Sequence, residues 1–366
     1  MNPPRMNSLQ ETVLEELLQR SFGAQDLYIP HRYLRGNALR EPADLVWWSN
    51  GIAVLFYLTS GKKSLEKQDQ HNIEQAKGWL RYWTKKPSHL LKATNRYGDE
   101  LLLSSSQAAF VIYVSIVSHT TGVVFHTINT GGPKGFICSI PESLIHSISS
   151  FGGTVIDFLV IIERYSQHLK KRLLKHDHVG SECLENIVKK SINELTQTVQ
   201  SYACQVNPFP QIDFEFISRI LGLNRLAAPT GAKLISSPIG RRQVANFFND
   251  MSAREYLVLS LASLVAIRQT DSLRRTVAIQ TQSMYLNWQI IATSIRSSTM
   301  TEFYESLLNK NKENGIDNIP QLIYGWDIEG ADYRSPMMYT MPPSRSSTQA
   351  RTIVQEILKR LALALK

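Results

Sequence analysis

The chain contains very little cysteine, and the cysteines that it has form no pattern. Its 366 residues include three, Cys138, Cys183 and Cys204, with no C-x-x-C spacing. An odd and widely separated set predicts neither a disulfide framework nor a zinc site, because both need paired or clustered cysteines. This usage favours a reducing compartment, and we predict a cytoplasmic protein.

Long apolar runs are also missing. Runs such as 52–58 and 155–162 are much shorter than the roughly 18 residues that a membrane-spanning helix needs. Residues 1–5 lack the apolar core of a signal peptide, so we expect no export and no membrane partner. The sequence contains no phosphate-binding loop, no G-x-S-x-G and no H-E-x-x-H motif, which leaves three common kinds of enzyme site without support.

Acidic residues are fewer than basic ones. The chain has 31 Asp and Glu against 40 Lys and Arg, a formal net charge of +9. Positive charge favours a polyanionic partner, because contacts with phosphates release counterions. We therefore predict nucleic acid as a partner. The alternative is that the charge only keeps the protein soluble.

Hydrophobic periodicity predicts two domains, residues 1–178 and residues 179–366. The first has the order helix, strand, strand, helix, strand, strand, short strand, helices, which predicts an α/β fold with a mixed sheet rather than a repeating βαβ unit. Its predicted elements are helices at 9–22, 64–86 and 154–175, a hairpin around Asn50-Gly51, a polar loop at 93–107, a second hairpin at 110–117 and 123–128, and a short strand at 135–139.

The second half is predicted to be mainly helical. Its predicted elements are helices at 182–203, 211–221, 240–250, 252–268, 271–297, 300–311 and 348–365, with two short strands at 321–327 and 337–341. Apolar stripes on these helices predict burial in a core of their own or contact with another protein chain, including a second copy.

The first predicted hairpin carries one carboxylate at the start of its first strand. Asn50-Gly51 is a strong signal for a two-residue turn. The strand after it, Ile52–Leu58, is apolar on both faces. It should therefore be a central strand covered on both sides. This carboxylate is Asp44.

Four short motifs follow one another around this hairpin. They are the acids Glu15 and Glu16 on the first helix, the segment Pro42-Ala43-Asp44, the polar end Thr59-Ser60 of the apolar strand, and Gln75 on the next helix. In this combination, residues 9–130 resemble the PD-(D/E)xK nuclease-like superfamily of restriction enzymes and prokaryotic defence proteins. The resemblance implies a restriction-endonuclease-like mixed sheet and a place in a DNA-processing or anti-phage defence complex.

The chemistry of such a nuclease requires more than Asp44. Mg²⁺ is held near the scissile phosphate by hard oxygen ligands, usually two carboxylates, and a lysine stabilises the developing charge. Residues i and i+2 of a strand share a face, so a Glu and a Lys at positions 56 and 58 would point to the same metal ion. This chain has Phe56 and Leu58 instead. The pattern therefore predicts a catalytically degenerate member that needs no cofactor.

A relocated catalytic site is the alternative. Asp44 would then be the metal ligand, Glu15, Glu16 or Glu74 would supply a second carboxylate, and Lys77 would supply the lysine. In a purely structural reading, Asp44 caps a turn or pairs with an arginine, and the other charged residues form a solvated helix face.

Two basic groups flank the helix after the hairpin and are candidates for phosphate contact. They are Lys62, Lys63 and Lys67 at its start, which are also alternative sources of a catalytic lysine, and Arg81, Lys85 and Lys86 at its end. The neighbouring aromatic residues could stack on bases, although core packing is the commoner role; they are Trp47, Trp48, Trp79, Tyr82 and Trp83.

Three functions remain open from the sequence. The first is a catalytically degenerate nuclease-like subunit that binds nucleic acid or holds partner proteins. The second is an active Mg²⁺-dependent nuclease with a relocated site. The third is a protein-interaction module, including one that forms homo-oligomers, in which the positive charge serves acidic partners.

Overall fold

The structure is a computed structural model of the full chain. It describes residues 9–22, 26–49, 51–58, 65–96, 98–117, 122–126, 134–173 and 182–203, and in the C-terminal part residues 251–255, 257–258, 261–262, 277–282, 287–294, 302, 306–307, 309–310, 313–314, 321–326, 337–341, 356–357 and 359–360. The chain divides into two compact units, Met1–Lys190 with Glu356–Lys366, and Ser191–Gln355. The predicted division after residue 178 falls outside the described residues.

The first unit combines helices with groups of consecutive strands. In chain order they are α1 (Leu9–Phe22), β1 (Leu27–Pro30), β2 (Tyr33–Arg35), β3 (Ala38–Arg40), β4 (Leu45–Ser49), β5 (Ile52–Leu58), α2 (Leu65–Lys85), β6 (Leu91–Asn95), β7 (Glu100–Leu103), β8 (Phe110–Val117), β9 (Val124–His126), β10 (Lys134–Pro141), α3 (Glu142–Ser150) and α4 (Val155–Leu173). The next helix, α5 (Glu182–Ala203), begins in the first unit and ends in the second. The prediction of an α/β fold with a large mixed sheet is confirmed.

One eight-stranded sheet organises this unit. Its strand order is β7-β6-β1-β4-β5-β8-β10-β9. Strands β5, β8 and β10 run parallel, and the other neighbours pair antiparallel. Every residue of β5 is buried, as predicted for a strand that is apolar on both faces. Strands β2 and β3 form a separate two-stranded ribbon.

The two faces of β5 are covered by different helices. Leu55 and Tyr57 belong to the hydrophobic core formed with α2. Phe56 points to the opposite face, because successive side chains of a strand alternate. There its ring stacks on Phe22 of α1, with 5.5 Å between the ring centroids, and Phe22 in turn contacts Phe158 of α4 at 5.7 Å. The central strand is therefore packed on both sides.

Two predictions about the first unit are wrong. The polar loop expected at 93–107 contains the strand β7 and the end of β6, which form an antiparallel pair. The hairpin expected between 110–117 and 123–128 does not form, because β8 and β9 both pair with β10 and not with each other. The close parallel pairing of β8 and β10 requires a glycine, since a Cβ at Gly135 would lie 1.9 Å from the carbonyl oxygen of Val111.

The second unit contains a four-stranded sheet. Its strands are β11 (Val277–Gln282), β12 (Asn287–Ser294), β13 (Gln321–Trp326) and β14 (Met337–Met341), in that order across the sheet. The two short strands predicted at 321–327 and 337–341 are confirmed. The helix predicted at 271–297 is wrong, because β11 and β12 pair antiparallel there. The helices predicted at 211–221 and 240–250 lie outside the described residues.

None of the described helices has the length and apolar character needed to cross a membrane.

Candidate functional site

The segment before β4 is held by side chains from β5 and α2. The hydroxyl of Tyr57 donates a hydrogen bond of 2.8 Å to the carbonyl oxygen of Pro42. The side-chain amide of Gln75 donates one of 3.1 Å to the carbonyl oxygen of Glu41. The resemblance to nucleases drew on Gln75 and the Pro-x-Asp segment, and in this structure the two are neighbours. Burial raises the pKa of Tyr57 well above its ordinary value, with Tyr113 and Asp44 acting in the same direction.

Asp44 closes the end of strand β5. Its Oδ2 accepts a hydrogen bond of 2.6 Å from the backbone N–H of Leu58, and its own N–H donates to the carbonyl oxygen of Phe56 at 2.9 Å. Strand β4 begins one residue later, so the carboxylate takes the place that a strand carbonyl would occupy. A charged acceptor makes this a strong bond. Asp44, which the resemblance assigned to metal binding, therefore has a structural role here.

The two positions that would complete a nuclease site belong to the core. Phe56 is fully buried, and Leu58 is 7% exposed. The ring of Phe56 fills the space beside Phe22, so a carboxylate at position 56 would have to be buried against aromatic rings. Burying an unpaired charge in such surroundings is strongly unfavourable. A metal-binding carboxylate at position 56 is therefore incompatible with the observed packing of β5.

The remaining candidates for a relocated site have other surroundings than a metal centre would give them. Glu15 and Glu74 each share a hydrogen bond with a glutamine of their own helix, and Glu16, Glu74 and Lys77 are exposed. Within the described ranges, no group of three or more His, Cys, Asp and Glu side chains could hold a metal ion. Asp44, Glu15, Glu16 and Glu74 therefore do not combine into one such group.

A surface of positive charge lies on the second half of α2. Lys77, Arg81 and Lys85 follow one another at four-residue spacing, and Lys86 comes directly after the helix; all four are exposed. Side chains four residues apart are neighbours on a helix, where like charges repel by roughly 0.2–0.5 kcal/mol per pair. No acidic residue lies between positions 75 and 98. In the part of the chain that the structure describes, no ion pair involves Arg81, Lys85 or Lys86.

The β2–β3 ribbon extends this surface. Tyr33 of β2 packs on α2, with ring centroids 4.8 Å from Trp79 and 4.4 Å from Tyr82. A Cβ at Gly78 would lie 3.6 Å from a guanidinium nitrogen of Arg35, so Arg35 reaches the helix.

Arg35 and Arg40 are both exposed. We call the set Lys77, Arg81, Lys85, Lys86, Arg35 and Arg40 the basic face. The sequence analysis missed its two ribbon arginines, although Gly36-Asn37 is a known turn signal for a hairpin, and Gly36 has a φ of 63°.

The other residues predicted to contact phosphates are not part of the basic face as defined. Lys67 is exposed near the start of α2, about three turns from Lys77 along the helix. Lys62 and Lys63 lie outside the described residues.

Most of the aromatic residues near the basic face are core. Trp47, Trp79 and Trp83 are at most 2% exposed. The indole N–H of Trp47 donates to the carbonyl oxygen of Phe22, and that of Trp83 donates to the carbonyl oxygen of Leu103. Base stacking by these three rings is therefore excluded in this conformation. Trp48 and the ring of Tyr82, which stacks on His89 at 3.9 Å, are partly exposed.

A partly buried hydrogen-bond chain connects two strands at one edge of the sheet with helix α2. The hydroxyl of Ser139 on β10 donates to both carboxylate oxygens of Asp69 on α2, at 2.7 and 2.9 Å, and lies 3.0 Å from Nε2 of His126 on β9. Since the only hydroxyl proton of Ser139 points to Asp69, His126 is the donor to Ser139. Burial lowers the pKa of His126, and Lys77 acts in the same direction, whereas Asp69 raises it. No sequence motif indicated this chain, because its members are far apart in sequence.

Comparisons with known proteins do not assign the chain to a family. No family model matches it, and searches of curated proteins and of solved structures found no significant match.

Proposed function

We propose that this protein is a catalytically degenerate nuclease-like subunit. It binds nucleic acid, and DNA in particular, through the basic face. The observation that carries the proposal is the basic face itself, six exposed cations on α2, directly after it and on the ribbon packed against it. Phosphate groups suit such a surface because its cations neutralise their charge. Bound phosphates also offset the repulsion between neighbouring cations of the surface. The resemblance to PD-(D/E)xK nucleases supports a place in a prokaryotic DNA-processing or anti-phage defence complex.

The absence of cleavage is part of the proposal. It is supported by the bond between Asp44 and the Leu58 amide and by the packing of Phe56 against Phe22. Both contacts are of the kind that residues with a structural role make. A subunit of this kind contributes affinity and position to a complex, and any chemistry comes from its partners.

Binding is tested by a salt titration with matched variants. We expect Arg81→Ala with Lys85→Ala to weaken binding to a fluorescent DNA duplex and to reduce the slope of log K against log salt by about 1.8, if each side chain neutralises one phosphate. Lys189→Ala with Lys190→Ala is the control, because it removes the same charge from exposed positions of α5. Equal effects of the two double variants would contradict a specific basic face.

The hypothesis that the protein does not cleave nucleic acid has a separate test. The full chain is incubated with plasmid DNA and with RNA in Mg²⁺ and in Mn²⁺, beside Asp44→Ala. Cleavage that disappears in Asp44→Ala would establish the relocated nuclease site instead. Absence of any gel retardation at low salt, where phosphate contacts are strongest, would favour the protein-interaction module.

A further inference from the structure

A row of three aromatic rings lies within the basic face. Tyr82 of α2 is the middle ring, with its centroid 4.4 Å from that of Tyr33 on β2 and 3.9 Å from that of His89. All three side chains are partly exposed. They differ in this from Trp79, which packs beside them and is buried. The row therefore reaches the surface, whereas the tryptophan beneath it belongs to the core.

His89 is the end of the row, and its orientation is fixed. Its ring lies at only 5° to that of Tyr82, its one ring neighbour among the described residues, so one face of the imidazole is covered. Its Nδ1 lies 2.6 Å from the carbonyl oxygen of Tyr82. A carbonyl oxygen only accepts, so Nδ1 carries the proton and donates. The exposed part of His89 therefore comprises the edge and the other face of a flat ring that is already held in place.

Cations of the basic face flank both ends of the row. At the first end, Arg40 is the cross-strand partner of Tyr33, and Arg35 lies two residues further along the strand, so both share the face of Tyr33 that packs on α2. Burial raises the pKa of Tyr33, and the charges of Arg35 and Arg40 oppose this, which places both arginines near its ring. At the other end, the backbone N–H of His89 donates a hydrogen bond of 3.0 Å to the carbonyl oxygen of Lys86. Rings and cations therefore share one side of the molecule.

We propose that the basic face takes single-stranded DNA, and that an unpaired base stacks on the imidazole of His89. The inference rests on the proposed function and names its substrate class. Proteins that bind single strands combine cations that follow the backbone with aromatic rings on which bases stack. In a duplex the bases already stack on one another, so their faces do not reach a ring on the protein surface. The row of rings therefore favours a single strand over a duplex.

The first test uses the unaltered full chain and two fluorescent single strands of about 12 nucleotides, an oligothymidylate and an abasic strand of the same length. Both strands carry the same phosphates, so the basic face contributes similarly to the binding of each. Stacking adds affinity only where there is a base. We expect wild type to bind the oligothymidylate at least about fivefold more tightly than the abasic strand in fluorescence anisotropy.

The second test assigns this difference to His89. His89→Ala should bind the oligothymidylate at least about fivefold more weakly than wild type and bind the abasic strand as wild type does. His89→Phe keeps a flat ring and should retain most of the preference for bases. His71→Ala is the control, because His71 is exposed on the first half of α2 and lies outside the basic face. Circular dichroism checks that each variant folds.

The outcomes separate this inference from the proposed function. If wild type binds both strands equally, or if His89→Ala binds the oligothymidylate as wild type does, stacking on His89 is wrong and the proposed function stands. Equal losses in His89→Ala and His71→Ala, or in His89→Ala and His89→Phe, would also overturn it, because neither result depends on a flat ring at position 89. If wild type binds neither strand nor a duplex at low salt, the inference and the proposed function both fail.

Discussion

Replacing Asp44 by alanine removes the acceptor of the Leu58 amide and leaves the end of β5 without its partner. A hydrogen bond to a charged group contributes about 1.5–3 kcal/mol. Asp44 is partly exposed, so solvent screening places the expected loss in the free energy of unfolding near the lower end, at about 1.5–2 kcal/mol. For a unit of this size, that corresponds to a fall in melting temperature of roughly 3–8 °C.

Asparagine provides the graded comparison. Asp44→Asn keeps an oxygen that can accept from the Leu58 N–H but loses the charge, so about half of the alanine effect is expected. Glu74→Ala is the control, since Glu74 is exposed and accepts a hydrogen bond from Gln70 of its own helix; its effect should stay within about 0.5 kcal/mol.

Urea unfolding followed by circular dichroism gives the free energies, and amide hydrogen exchange of the peptide that contains Leu58 reports the local effect. Loss of protection there in Asp44→Ala is the expected result. The reasoning would be refuted if Asp44→Ala were as stable as wild type or more stable. That result is typical of a carboxylate held for function at the expense of stability, and it would return Asp44 to a catalytic role.

Two further predictions concern the core and the hydrogen-bond chain of Asp69, Ser139 and His126. Phe56→Ala should lower the free energy of unfolding by about 3–5 kcal/mol, because the ring is fully buried against Phe22; a loss below about 1 kcal/mol in urea unfolding would show that this contact is loose. His126 has a folded-state pKa below the ordinary value of 6.5, so its unfolded form takes up a proton first as the pH falls. Its contribution to stability is therefore complete above about pH 6.5 and is lost as the pH falls through the lower folded-state pKa. His126→Gln should lack this part of the pH dependence when unfolding is measured from pH 7.5 to 5, and an unchanged profile would count against it.

Local patterns predicted much of the first unit correctly. Helix α1, the β4–β5 hairpin around Asn50-Gly51, and α2 appear where periodicity and turn chemistry placed them. Each is defined by residues close in sequence, so its signal is local. The central position of β5 also followed from its composition, because a strand that is apolar on both faces must be covered on both.

Long-range pairing defeated the same reasoning. Strand β9 follows β8 in the sequence, yet it pairs with β10, because β10 inserts parallel beside β8. In the second unit, the apolar residues of 271–297 fit a helix by periodicity, but Val277–Gln282 and Asn287–Ser294 form two antiparallel strands. Short apolar segments are ambiguous between helix and strand until their partners are known.

The sequence by itself determined the charge, the turn at Asn50-Gly51, and the apolar side chains at positions 56 and 58, because these are properties of single residues or of near neighbours. Only the tertiary structure decided what those residues contact. It joined Asp44 to the Leu58 amide and placed Phe56 against Phe22. It also brought Arg35 and Arg40 to the end of α2 by packing Tyr33 on Trp79. Hydrogen bonds and packing between distant segments depend on which strands and helices become neighbours, and a sequence read residue by residue does not contain that choice.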